Sequence, residues 1–210
     1  MHKLEVYYLA NKSENLYFAL LGDCTSSKNE KESFDEEVIE TGIKETKSLN
    51  EKYGDKFYFL YRNRIWTPSE KCYLGWERKR GLLCQFNKFL VTGENDFNIN
   101  TLVESDISNK VKYVITLDSD TNLVLDSASQ LIGSMAHILN KPQINKRNIV
   151  EKGHALIQPR VGVNLESSRQ SLFSKIFSGM GGTDLYANAI SDVYQDNFGE
   201  GIFTGKGIYD

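Results

Sequence analysis

The sequence predicts an α/β domain with a mostly parallel sheet flanked by helices, and three observations carry that prediction. Short apolar runs rich in β-branched and aromatic residues alternate with helix-length amphipathic stretches along the chain. The run Val111-Lys112-Tyr113-Val114-Ile115-Thr116-Leu117 ends abruptly in two carboxylates, Asp118 and Asp120. Open α/β sheets bind ligands beyond the carboxyl ends of their strands, and a strand that ends in charge suits that place. A length of 210 residues fits one such domain or two small ones. No repeat, low-complexity tract or clear linker divides the chain, so residues 1–210 are read as a single domain.

Taken in order, Phe18 to Leu21 reads as a short buried strand ending at Gly22-Asp23, and Thr25 to Lys31 as a polar loop. Ser33, with Glu36 three residues on, has the form of a capping box. Phe34, Val38, Ile39, Ile43 and Leu49 then keep roughly helical spacing as far as Tyr53-Gly54. Phe57 to Tyr61 is a strand rich in aromatics, followed by a polar-aromatic loop with Arg62, Arg64, Trp66 and Pro68. Leu82, Leu83, Phe86, Phe89 and Leu90 form an apolar helical stripe between Gly81 and Gly93, and Gly93 to Asn109 is polar and irregular. After the Asp118 strand, Ala128, Leu131, Ile132, Met135, Ala136 and Leu139 make the cleanest amphipathic helix, stopped by Asn140-Lys141-Pro142. Ala155 to Gln158 is a further short strand, closed by Pro159. Ser171 to Phe177 and Leu185 to Ile190 read as helices around Gly179, Gly181 and Gly182, whose spacing is not that of a dinucleotide-binding loop.

Composition excludes several classes. A net charge of −3 leaves no electrostatic footprint for nucleic acid. Cys24, Cys72 and Cys84 are odd in number and widely spaced, which argues against a disulfide framework or a structural zinc site and for a reducing cytoplasm. No apolar run is long enough to span a bilayer, and no signal peptide opens the chain.

The chemistry concentrates at Asp118 and Asp120. Residues i and i+2 of a strand share a face, so the two carboxylates are expected to point into one crevice. Two hard oxygen donors there suit a divalent cation that also grips a phosphate, the layout of an enzyme using a metal-bound nucleotide sugar. An EF-hand would need Gly and Glu where Leu123 and Ser129 stand. A haloacid-dehalogenase-type phosphatase would need Thr or Val where Asn122 stands. Helix capping accounts for Asp126 before Ser127 more readily than for the pair.

Seven blocks then carry a resemblance. They are Leu4 to Asn11, Phe18 to Asp23, Gly75-Trp76-Glu77-Arg78-Lys79-Arg80-Gly81, Tyr113 to Thr121, Gln158-Pro159-Arg160-Val161, Ser191 to Gly201, and Gly205-Lys206-Gly207-Ile208-Tyr209-Asp210. In this order the chain resembles the glycosyltransferase domain of NdvB-like cyclic β-1,2-glucan synthases, assigned to glycosyltransferase family 84 and related to family 2. The resemblance implies a GT-A fold that moves glucose from UDP-glucose onto a growing β-1,2-glucan with inversion. It places the domain on the cytoplasmic side of a large inner-membrane protein. It also implies an incomplete copy. The strand that would precede the Leu4 to Asn11 helix is missing, and so is a downstream His-Asp-Leu-Leu-Glu-Gly motif whose Asp would be the base. Donor binding without catalysis by the isolated chain is the alternative reading. A sheet lacking its first strand is expected to expose an apolar edge and to associate with itself.

The same resemblance distributes roles. Asp118 and Asp120 would hold Mn²⁺ or Mg²⁺ at the donor diphosphate. Asp23 would bind uracil or ribose, with a turn aspartate as the alternative. Lys79 and Arg80 would contact the donor, although a charged run is often a solvated face. Gln158 and Arg160 would lie near the acceptor, where Asp192 and Glu200 would meet its hydroxyls. Asp196 is the substitute general base within this chain. Trp66 and Trp76 could stack on sugar rings or be buried.

Overall fold

The computed structural model describes residues 1–159, 197–198, 203 and 205–210, and every residue of the aromatic run Phe57–Tyr61 is buried in it. The helices expected at 171–177 and 185–190 and the glycine cluster lie outside the described residues. The described chain forms helix α1 (His2–Ala10), strand β1 (Phe18–Gly22), α2 (Asp35–Tyr53), β2 (Phe57–Tyr61), β3 (Ile65–Thr67), β4 (Cys72–Leu74), α3 (Arg78–Thr92), β5 (Ile99–Asn100), β6 (Val114–Thr116), α4 (Ser127–Ala136), β7 (Gln143–Ile144), β8 (Val150–Lys152), β9 (Leu156–Ile157) and β10 (Gly207–Tyr209). These group into two units, Met1–Lys112 with Val124–Asp126 and Tyr113–Leu123 with Ser127–Asp210.

In the first unit β2 is the middle strand of a sheet ordered β1-β2-β5. A strand with neighbours on both sides and both faces covered needs apolar residues at every position, which is what its sequence supplies. β1 runs parallel to it in register Phe18↔Phe57 to Gly22↔Tyr61, so the two strands deliver their carboxyl ends to one edge. Alternate β2 residues face helices α1 and α2. Tyr8 of α1 packs its ring on Phe18, Tyr53 and Phe57, and Gly42 of α2 sits on the Phe59 ring. Glu5 accepts hydrogen bonds from Lys52 Nζ (2.8 Å) and Tyr53 Oη (2.7 Å), tying α1 to α2. Asn50 imitates a strand neighbour: its Oδ1 accepts from Phe57 N (2.8 Å) and its Nδ2 donates to Phe57 O (2.9 Å).

Gly42 supplies a test of this packing. An added Cβ would lie 2.5–2.8 Å from three atoms of the Phe59 ring, which is itself 2% exposed and has no room to yield. Alanine gains about 1 kcal/mol of helix propensity over glycine, whereas overpacking a closed core costs about 1–3 kcal/mol. Gly42→Ala is therefore expected to lower the urea midpoint of unfolding. A raised midpoint would contradict the packing of α2 on β2.

The second unit has a small sheet ordered β6-β10-β9, antiparallel throughout, with the hairpin β7-β8 beside it in sequence. Among the described residues of this unit, Ile208 in β10 and Ala128 and Met135 on α4 are the most buried side chains.

Several expectations change. Of the six described strand pairings only β1-β2 is parallel, so the sheets are small and antiparallel pairing predominates, where a mixed, mostly parallel sheet was expected. The capping box at Ser33 does not form. Helix α2 starts at Asp35, whose own Oδ2 accepts from Glu32 N (2.8 Å) and closes the entry turn. The polar-aromatic loop after β2 contains the β3-β4 hairpin, with Trp66 opposite Tyr73. α3 begins three residues before Gly81 and ends as expected at Gly93, whose φ of 76° lets its N–H reach Phe89 O at 2.9 Å. α4 ends at Ala136, and the apolar Ile138 and Leu139 enter a short 3-10 turn, 77% and 79% exposed. No helix among the described residues is long and apolar enough to cross a membrane.

Candidate functional site

In the first unit the candidate residues gather where β1 and β2 end together. Asp23 directly follows β1, and Arg62 directly follows β2, its N–H reaching Gly22 O at 3.4 Å. Arg62 is 2% exposed and meets Asp23 with two parallel bonds, Nε to Oδ1 at 2.9 Å and Nη2 to Oδ2 at 2.8 Å. A guanidinium matches a carboxylate in this forked geometry, so the pair has charge, direction and shape in its favour. The remaining donors are used as well. Nη1 bonds Trp76 O (2.8 Å) and Gln85 Oε1 (3.2 Å), and Nη2 bonds Arg78 O. One buried arginine thus joins the end of β1, the turn before α3 and the α3 helix.

The turn Gly75–Arg78 is shaped to accept it. A Cβ on Gly75 would collide with Asp23 Oδ1 and stand 2.6 Å from Arg62 Nη2, so only glycine lets the chain cross the ion pair. Glu77 and Arg78 both have left-handed φ, 48° and 49°. Such a conformation costs roughly 1–3 kcal/mol per non-glycine residue and persists where its surroundings over-determine it. Gly81 completes the fit, because a Cβ there would strike the Trp76 carbonyl. Lys79 and Arg80 lie on the first turn of α3: Lys79 is half-buried, and Arg80 is exposed and ion-paired with Glu77. Arg78 pairs with Glu70 at 2.8 Å. Trp76 and Trp66 are 44% and 49% exposed, and Trp66 packs edge-on against Tyr73.

A second buried arginine secures the loop after Asp23. Arg64 Nε bonds Thr25 O at 2.7 Å, and its Nη1 pairs with Asp35. The Cys24 thiol donates to Arg62 O and accepts from Tyr61 Oη, both at 3.1 Å, and burial pushes its pKa up. Arg64 holds the Asp35 carboxyl below its ordinary value, helped by the Glu32 N–H. A carboxylate with a depressed folded pKa contributes stability above its unfolded pKa and loses it as pH falls through the folded one. Unfolding midpoints are therefore expected to drop as pH falls below about 4, the ordinary aspartate range. Asp35→Asn should flatten that drop, and an unchanged acid slope in the variant would exclude Asp35 as its source.

In the second unit, strand β6 stops at Thr116, so Asp118 and Asp120 are not strand residues. The expectation that strand alternation sets them on one face is corrected. The chain turns here, with Thr121 N bonded to Asp118 O at 3.1 Å, and leaves Asp118 half-buried and Asp120 exposed. β10 pairs antiparallel with β6 (Gly207↔Thr116) and with β9 (Ile208↔Ile157). The carboxyl ends of β6 and β9 therefore flank the start of β10. Asp118, Gln158 and Lys206 all belong to this one end of the sheet. Lys206 Nζ stands 3.3 Å from Asp118 Oδ2. Gly207 allows the close approach, since a Cβ there would lie 2.6 Å from Ile157 O and 3.3 Å from Gln158 Cα.

Asp118 and Asp120, two carboxylates of one turn, are the residues here that could hold a cation. Among the described residues no group of three His, Cys, Asp or Glu side chains converges. Two carboxylates are in number and chemistry what Mg²⁺ or Mn²⁺ would use, since these ions take one or two carboxylates and complete their shell with waters and substrate phosphates. Arg160, Asp192, Asp196 and Glu200 lie outside the described residues. Sequence reasoning missed Arg62, Arg64 and Lys206. The first two carried a signal: two arginines directly after a fully apolar strand must either leave it at once or be buried with a partner.

No family model matches the chain. It is similar along its whole length to a curated protein of Rhizobium meliloti (strain 1021), "Cyclic beta-(1,2)-glucan synthase NdvB", with 42% identity over 219 residues. The match takes in 100% of this chain and 8% of that protein, so the chain corresponds to a small part of its relative.

Proposed function

Because the chain is NdvB-like from end to end, we propose that it is the donor-binding part of a glycosyltransferase that uses UDP-glucose to extend a β-1,2-glucan. The observation that supports this most is the acidic turn Asp118–Asp120 at a sheet end shared with Lys206 and Gln158. On this reading residues 1–210 belong to one GT-A domain. Asp23, with its carboxylate oriented by Arg62, takes the uracil or ribose. Lys79 and Arg80 are proposed to bind the donor diphosphate. Asp118 and Asp120 hold Mn²⁺ or Mg²⁺. When bound, that cation offsets the negative charge that develops on the leaving UDP.

Gln158, Arg160, Asp192 and Glu200 are proposed for the glucan acceptor, and Asp196 as the group that would take the proton of its attacking hydroxyl. Displacement at the anomeric carbon is direct, with inversion. The parent protein is proposed to hold this region at the cytoplasmic face of the inner membrane. β1, paired among the described residues only with β2, is proposed as an edge through which isolated chains associate. Its Leu20 is 37% exposed.

Calorimetric titration of UDP-glucose and of UDP, with and without Mn²⁺, tests the central claim. Binding that requires Mn²⁺ is expected. Absence of binding in both conditions would remove the donor-site reading.

A further inference from the structure

Lys206 is a cation that the fold sets against the acidic turn. Its Nζ lies 3.3 Å from Asp118 Oδ2, with the two side chains 23% and 31% exposed, so neither charge is fully hydrated. The placement is built by the backbone. Gly205, at φ 83°, turns the chain into β10. The Thr116↔Gly207 register then brings Lys206 beside the residues that follow β6. The Thr116 hydroxyl, 3.4 Å from Gly207 O, reinforces that junction. On the other side of β10, the Ile208↔Ile157 register brings Gln158 to the same end.

We infer that Lys206 is a positioning residue of the donor site, holding Asp118 while no divalent cation is present and pairing with the nucleotide's diphosphate once Asp118 ligates one. The inference rests on the donor-site reading above. A lysine ammonium and a divalent cation cannot both be the close partner of one carboxylate oxygen without repelling each other. A diphosphate next to the cation gives the displaced ammonium a second anion within reach. The flexible four-carbon stem of lysine makes such an exchange possible without movement of the backbone.

Removing the ammonium should therefore shift two affinities in opposite directions. In Lys206→Met, Mn²⁺ alone is expected to bind about tenfold more tightly, because its competitor at Asp118 is gone. UDP in the presence of Mn²⁺ is expected to bind about tenfold more weakly, because a charge-assisted contact is lost. Mn²⁺ affinity is read by electron paramagnetic resonance of the free ion and UDP affinity by calorimetry, on the whole chain. Lys206→Arg keeps the charge and should hold UDP affinity near that of the unsubstituted protein. A merely structural lysine would weaken both ligands together or neither, and either result in Lys206→Met would overturn the inference. Failure of the unsubstituted chain to bind UDP would instead overturn the donor-site reading on which it rests.

Discussion

Replacing Arg62 with methionine is expected to destabilise the chain by about 3–5 kcal/mol, the usual loss when one partner of a buried ion pair is removed. The reason is the number of groups that depend on one side chain. Asp23 would lose its forked partner, and the carbonyls of Trp76 and Arg78 and the Gln85 amide would lose a donor. Each buried polar group left unpaired costs about 1–3 kcal/mol. Asp23 is 26% exposed and can recover some hydration, which keeps the loss from reaching the sum of these. Arg62→Lys retains a charge but not the planar fork, so it should fall between the two. The left-handed turn at Glu77 and Arg78 should relax when the bonds that hold it are gone. Urea unfolding of Arg62→Met, Asp23→Asn and the double variant gives the coupling between the two residues. A midpoint for Arg62→Met equal to that of the unsubstituted chain would show that the network does not hold the turn in place.

The second large effect is functional. Asp118→Ala is expected to abolish Mn²⁺-dependent UDP binding, a loss of at least about 100-fold, since even an outer partner of a metal site is worth 10–100-fold. Asp120→Ala should cost less. Asp118 is half-buried and fixed by Lys206, whereas Asp120 is exposed on a turn and free to let water take its place. Stability should barely move, because a partly exposed ion pair contributes about 0–1 kcal/mol. A folded Asp118→Ala chain that binds UDP and Mn²⁺ as well as the unsubstituted one would remove the acidic turn from the proposed site. Equal losses at Asp118 and Asp120 would contradict the asymmetry of the turn.

Local signals made part of this protein legible in advance. The run Phe57–Tyr61 announces a strand covered on both faces, and the structure buries all five residues. Leu82, Phe86 and Phe89 repeat at helical spacing and are the buried side of α3, and Gly54 and Gly93 stop their helices where the pattern stops. Asp23, Asp118 and Asp120 stand out because carboxylates directly after apolar runs are chemically conspicuous. These features depend on neighbours in sequence, and so propensity, periodicity and burial read them without any knowledge of the fold.

Pairing between distant segments was decided only in three dimensions. An apolar run says that a strand is buried, but not which strand lies beside it or in which direction, so a mostly parallel sheet was expected where one described pairing is parallel. The loop after β2 hid a hairpin because three-residue strands are too short to show alternation. Strand β6 ends before the carboxylates because the Asp118–Thr121 turn competes with the ladder for the backbone, and a turn bond of this kind has no periodic signature. Above all, charge partners are set by the tertiary fold. Arg62 finds Asp23 because two parallel strands end side by side, and Lys206 finds Asp118 because β10 returns antiparallel to β6. Which residues carry charge at strand ends is a property of the sequence. Which opposite charge each one meets is settled by the strand register, because only the register brings residues so far apart in the chain within ion-pair distance.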